Sequence, residues 1–379
     1  MAERFASPGP VPVEIGLSRA VLDGEAVRQL TVCNACRYCE GLCAVFPALA
    51  RRSVLSGGDV SQIANLCHDC RACYDACMYS PPHEFAINLP PLLSAVRAAD
   101  YRDYVWPHRV PRLLRGWSGV FAGALASAAV VVAAAVAKVG PAGLVRRHGA
   151  VASPYALISY PVLLVLLLVP VVYALFVIGA AARAYWRDTG GGRLRVRGLR
   201  SALWQAASLR YLRGGGGECY YPEDERPSRA RWWLHMSVAY GFGLCTVSTL
   251  AAAVLQDVLD TPPPYPWLSV PVLTGVVGGV AMVVGCVGLI GLKARSSELT
   301  SFSAMTVKDY GFLAALAYLA LTGLATLLTR GTAAYGLVYL LHLASVLVAF
   351  AATPYTKFVH IVYRLLALVR DNMERGANG

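Results

Sequence analysis

Eight of the eleven cysteines fall into two copies of one spacing, C-x2-C-x2-C-x3-C. The first copy is Cys33, Cys36, Cys39 and Cys43, and the second is Cys67, Cys70, Cys73 and Cys77. Three thiolates at this spacing can reach three irons of one cubane, and bacterial two-cluster ferredoxins hold [4Fe–4S] clusters in this way. In such pairs the last cysteine of each run ligates the other cluster. One cluster is therefore expected on Cys33, Cys36, Cys39 and Cys77, and the other on Cys67, Cys70, Cys73 and Cys43. Two structural zinc sites are the competing reading. Zinc usually takes its four ligands as two separated C-x2-C pairs and has no use for a regular third cysteine in each run. Disulfides fit less well, because runs this tight gather thiols for metal rather than staple long loops. Cys219 reads as an ordinary loop residue, and Cys286 as a small hydrophobe inside an apolar run.

Histidine offers a second chemistry. His235, His342 and His360 lie in or beside long apolar runs, where ionisable side chains are costly and usually functional. His342 and His360 are separated by five helical turns, so one continuous helix would point them the same way, about 27 Å apart. That is close to the bilayer's hydrocarbon thickness of roughly 30 Å. One helix with an imidazole near each side of the membrane is how a b-type cytochrome supplies axial ligands. A second helix must supply the opposing ligands, and His235 stands at the start of an apolar run. Depth pairs His235 with His360 around one haem b. His342 would serve a second haem, but its partner is not evident: Cys245 has the depth and the wrong chemistry, and His148 lies in a loop. His68, His83 and His108 are expected at the surface or around the clusters, without a ligand role.

These groups need two kinds of scaffold. At 379 residues the chain has room for two domains. It is 56% hydrophobic and 15% charged, with a mean hydropathy of +0.51, which is too apolar for a water-soluble protein. Residues 1–112 are polar and cysteine-rich, whereas 113–379 are dominated by apolar runs. Six runs are long enough to cross a membrane: 117–136, 160–182, 233–255, 268–292, 310–328 and 335–352. Segments 18–30 and 89–99 of the head have helical apolar spacing. The expected fold is mainly α: a helical, ferredoxin-like head with two [4Fe–4S] clusters, then a six-helix transmembrane bundle of cytochrome b type.

The net charge of +12 does not imply nucleic acid, because the arginines flank the apolar runs. The 185–231 segment carries ten of them. The connection at 256–267 carries no lysine or arginine. The positive-inside rule then puts the head, the 185–231 loop and the C-terminal tail in the cytoplasm. Lys138, Arg146 and Arg147 in the first outward loop are a mild exception. The first thirty residues lack the pattern of a signal peptide, so the expected location is a bacterial inner membrane with the clusters in the reducing cytoplasm. The runs Gly190–Gly192 and 214–217 read as flexible loop, not as a phosphate cradle, since no strand precedes them.

The order CNACRYCEGLCAVFP, CHDCRACYDACMYSPP, six spans, the loop GGGGECYYPEDERPSRARWWLH and the tail PYTKFVH resembles the tricarballylate utilization protein B family, also called the citrate utilization B type. The resemblance covers nearly the whole chain. It implies a membrane iron–sulfur and haem protein that reoxidises the flavin of an FAD-dependent partner dehydrogenase, tricarballylate utilization protein A, and passes the electrons to the membrane. A related fused protein joins such parts in cobalamin biosynthesis. More distantly, the histidines look like those of gamma-type cytochrome b subunits of nitrate reductase. There one helix carries two histidines eighteen apart, and another carries two ten apart. His342 and His360 match the first pair and His235 matches one of the second, but the other position is Cys245. The cysteine runs depart from the ferredoxin norm too, since proline stands four residues after the last cysteine, at Pro47 and Pro81.

The expected function is electron relay from a cytoplasmic flavoprotein, through two clusters and haem b, to a quinone. Substrate chemistry would belong to the partner, because no catalytic triad, nucleotide fingerprint or paired-carboxylate site is evident. A membrane subunit of heterodisulfide- or sulfite-reductase type is the alternative within redox chemistry. A transporter with a structural metal domain is the alternative outside it, although internal repeats and broken midplane helices are not evident.

Overall fold

The computed structural model describes residues 17–110, 117–144, 153–213, 219 and 227–376. Every regular element among them is helical. The head contains α1 (Arg19–Cys36), α2 (Val45–Ala50), α3 (Gly57–Leu66), α4 (Ala72–Asp75) and α5 (Leu89–Asp103). Ser18 caps α1 by accepting from the Val21 N–H, and Ser56 with Asp59 forms a capping box on α3, which satisfies donors that a helix start leaves open. Pro90 and Pro91 fall in the first turn of α5, where a missing N–H costs nothing. Leu30, Ile63 and Leu92 from α1, α3 and α5 are fully buried together. Each contributes about 1.5–3 kcal/mol by leaving water. Asp100 is buried at the same junction, and Arg19 (2.7 Å), Ser61 (2.9 Å) and Asn65 (2.8 Å) all donate to it.

The remaining helices are α6 (Trp117–Gly143), α7 (Tyr160–Asp188), α8 (Val196–Ala207), α9 (Ala230–Asp257), α10 (Val270–Ala294), α11 (Ser303–Leu328), α12 (Tyr335–Ala352) and α13 (His360–Arg375). Six of them, α6, α7, α9, α10, α11 and α12, are long and apolar enough to cross a membrane. They coincide with the six runs expected from sequence. Their outer faces stay apolar: Val165, Leu168, Val169 and Val172 of α7 are all exposed. A continuous face of this kind suits lipid, not water. Gly140 takes φ +70° just before Pro141, so α6 kinks near its end. The tightest pairing is α9 against α10. A Cβ on Gly278 would stand 2.6 Å from the Gly241 carbonyl oxygen, so glycine here lets the two backbones touch.

Two expectations are corrected. First, His342 and His360 do not share a helix. α12 ends at Ala352, and the chain passes through two 3-10 turns, Thr353–Tyr355 and Lys357–Val359, before α13 begins at His360. Pro354 has no N–H to continue the ladder, so the five-turn register between the histidines is lost. Second, 185–231 is not simply a loop. It contains α8, and the Gly190 turn is packed, with its backbone at φ +73° against the Arg370 guanidinium. The 214–217 run lies outside the described residues.

The head core also reaches beyond residue 112. Ala202 of α8, Tyr211, and Ala367, Leu368 and Val369 of α13 are buried in it. Charge reinforces this packing. Arg52 pairs with Asp59 (2.8 Å) and Glu374 (2.9 Å), Arg370 reaches Asp59 (2.9 Å), and Arg51 meets Asp371. Gln205 and Asn372 exchange amide hydrogen bonds across α8 and α13.

Candidate functional site

The eight cysteines surround two adjacent hollows. Cys33, Cys36, Cys39 and Cys77 line the first. Cys43, Cys67 and Cys70 line the second, and Cys73 borders both. The last cysteine of each run thus sits with the other run's thiols. Among the described residues no three of these side chains converge on a single ion position. They ring a space, as ligands of a polynuclear cluster do.

The backbone that achieves this repeats in both runs. Arg37 follows the second cysteine of the first run with φ +56°, and Arg71 follows that of the second run with φ +66°. Each left-handed residue turns the chain sharply. The Arg37 N–H closes α1 onto the Cys33 carbonyl at 2.9 Å, and Arg71 starts α4. A non-glycine residue at positive φ is uncommon and is held by its surroundings. This matched pair of arginines is a site feature that the cysteine spacing alone did not flag.

Electrostatics favour metal in the hollows. Burial, with neighbouring cysteines adding to it, raises Cys33 and Cys70 to about 12 and Cys39 to about 11. Cys43 and Cys73 are pushed well above the ordinary thiol value for the same reasons. Crowded thiolates of this kind are stabilised by bound cations, which reverse the local logic.

The two hollows face different ways. Cys36 is exposed and Cys70 is buried. Tyr38 and Met78, beside the first hollow, are 67% and 62% exposed. The second hollow is clamped onto the bundle. Arg71 donates to Ser296 (2.6 Å) and Ser301 (2.9 Å) between α10 and α11, and Arg231 donates to the Asp69 carbonyl at 2.7 Å. Cys219, expected as an ordinary loop residue, is buried against Cys70 and Ala72. His68, left without a ligand role, also lines this hollow, with Nδ1 2.7 Å from the Leu66 carbonyl.

Beneath the second hollow, His235 of α9 and His360 of α13 come together. Their ring centres are 6.3 Å apart and their planes meet at 81°. Two imidazoles on opposite sides of one metal, each with a bond of about 2 Å, would show ring centres roughly 6 Å apart. His360 Nδ1 is held by the Lys357 carbonyl, which leaves Nε2 as the free ligand atom, the usual outer-shell arrangement of a metal-bound histidine. His235 Nδ1 is buried with no hydrogen-bond partner. The pair fits a bis-imidazole haem iron. Burial, with Arg364 and Lys357 nearby, lowers His360 to about 3, so it stays neutral as a ligand must.

His342 stands apart from this pair. It faces α11, where Nδ1 lies 3.1 Å from Thr322 Oγ1, and Gly323 leaves room for the ring. It opens into a cavity of about 230 Å³ with Tyr335, Tyr339 and Arg330, at the end of the bundle away from the head. No histidine, methionine or cysteine faces it there. Cys245 contacts Met282 instead, at 3.9 Å.

A family model for citrate utilization protein B matches residues 118–379. The chain belongs to the citrate utilization protein B family. The Fer4-like domain of the same family matches residues 26–103, which takes in both cysteine runs. Citrate utilization protein B of Escherichia coli is 34% identical over 353 residues, covering 93% of each chain. No solved structure matches. The family match bears out the resemblance read from the sequence. The Fer4-like match agrees with iron–sulfur chemistry in the head, and the six apolar helices with a multi-pass membrane protein.

Proposed function

We propose that this chain carries electrons from a reduced flavoprotein, through two [4Fe–4S] clusters and one haem b, to quinone in the bilayer. The observation that carries the reading is the order of the sites. An exposed thiol-lined hollow adjoins a buried one, and the buried one adjoins a histidine pair at the head end of the membrane bundle. When bound, clusters and haem supply the one-electron carriers that a polypeptide lacks.

The residues have distinct tasks in this reading. Cys33, Cys36, Cys39 and Cys77 hold the outer cluster, where a partner can approach. Cys67, Cys70, Cys73 and Cys43 hold the inner one. His235 and His360 hold the haem iron. Arg71, Arg97 and Arg231 brace the backbone of the inner run, since Arg97 also donates to the Cys67 carbonyl at 3.1 Å. The partner would be an FAD-dependent dehydrogenase of tricarballylate or citrate utilization, docking at Tyr38 and Met78. The arginine asymmetry supports a bacterial inner membrane with the head in the cytoplasm.

The test is a spectrum and an analysis of the purified full chain. About eight iron and eight labile sulfide per chain are expected for two cubanes, with further iron as haem and dithionite-reducible low-spin bands. Stoichiometric zinc without sulfide would sink the cluster assignment. In membranes, a reduced flavoprotein partner should reduce quinone only when this chain is present.

A further inference from the structure

Between the inner thiol hollow and the histidine pair lies a polar cavity of about 60 Å³. Five cations face it: Arg97, Arg231, Lys293, Lys357 and Arg364. Two carboxylates, Asp69 and Asp309, oppose them. Asp309 is already engaged by Lys293 at 2.8 Å and by Lys357. Arg97 and Arg231 donate to main-chain carbonyls, which are neutral and leave their charges uncompensated. Arg364 Nη1 is buried without any hydrogen-bond partner, as is Asp69 Oδ1. Buried charge is retained only where something balances it. Burial, with Arg97 as the nearest like charge, lowers the Arg364 guanidinium to about 10.

The cations are also in register with the histidines. Arg231 stands four residues before His235 on α9, and Arg364 stands four residues after His360 on α13. Four residues is one helical turn, so each arginine shares a face with its histidine. Both turns lead toward the head, so the two arginines meet in one cavity just above the two rings.

We infer that this cavity receives the two propionate carboxylates of the haem whose iron His235 and His360 hold, with Arg364 and Arg231 as their principal partners. The inference rests on the haem reading of the proposed function and adds the orientation of the group, its acidic edge toward the inner cluster. Arginine forks suit carboxylates, and the placement keeps two anions out of the hydrocarbon.

The test uses the full chain, produced in haem-deficient cells and loaded in membranes with protohaem or with its dimethyl ester. The ester keeps the iron and the ring but removes both charges. The free acid should bind about tenfold or more tightly than the ester, the size expected of a charge-assisted hydrogen bond. Equal binding overturns the propionate assignment and leaves the haem reading intact. Uptake of neither form means that the haem reading itself fails, and the inference falls with it. Arg364→Gln in the haem-loaded chain should speed haem transfer to apomyoglobin roughly tenfold, with Arg364→Lys recovering part of the retention and the cluster spectrum unchanged. The ester comparison needs no variant, so it stands if Arg364→Gln does not fold. Citrate added to the haem-loaded chain should not bind here. Citrate binding that Arg364→Gln abolishes, with haem retention unaltered, would assign the cavity to a free carboxylate and overturn the inference.

Discussion

At the scale of single residues, the exchange of last cysteines between the two runs is the sharpest claim. Cys43 lines the hollow of the second run, and Cys77 that of the first. Cys43→Ser should therefore perturb the cluster held mainly by Cys67, Cys70 and Cys73, and Cys77→Ser the one held by the first run. Resonance spectra of the two variants decide it: damage confined to each variant's own run would refute the crossed arrangement. The histidines make a second residue-level prediction. His235→Ala or His360→Ala should abolish the low-spin haem spectrum and leave the clusters in place. His342→Ala should keep that spectrum, because its ring is engaged with Thr322 and faces a different cavity. A full haem spectrum in His235→Ala, together with its loss in His342→Ala, would reverse the assignment.

At the scale of elements, α13 decides how the head sits. It starts at His360, carries Arg364 one turn on, and ends against α3 and α8. A single helix thus connects the histidine pair to the head core. Asp59 is the hinge of this contact, pairing with Arg52 and Arg370. Burial pushes its carboxyl up, but hydrogen bonds from Ser56 and Arg52 outweigh that and hold it at about 2, below the ordinary 3.8. A depressed carboxyl stabilises the contact at pH above the ordinary value, and the contribution is lost as pH falls toward 2. Asp59→Asn should weaken the docking at neutral pH by about 1–3 kcal/mol. Faster amide exchange across α13 in the variant would show it, and unchanged exchange would argue against the role. The pairing of α9 with α10 is a second element-level device. Gly278→Leu should force the two apart and disturb His235 through its helix, which loss of haem retention would report.

At the scale of the molecule, the sites follow one direction, from an exposed hollow through a buried one to the head end of the bundle. Orientation in the membrane follows from the arginine distribution. Reporter fusions within 214–217 and after Asp260 should come out on opposite sides, with the first on the side of the head. Same-side results would overturn the six-span topology. The exposed Tyr38 and Met78 face should matter only for the partner. Met78→Glu should slow reduction by the flavoprotein and leave reduction by dithionite unchanged.

Local spacing made the cysteine runs, the six spans and their bounds legible in the sequence, because cluster ligation and membrane crossing impose short-range rules on residue type. The starts of α1 and α5 were legible for the same reason. Sequence also brought His235 and His360 together, through depth alone. It put His342 and His360 on one helix, since a pattern of eighteen residues cannot reveal that Pro354 and its flanking turns break the register. Nor could it show α8 inside the basic segment, Cys219 against Cys70, or the arginines gathered above the histidine pair. Those contacts join residues far apart in the chain. Their energy comes from burial and charge compensation between elements, and only the packed tertiary structure brings those elements within reach of one another.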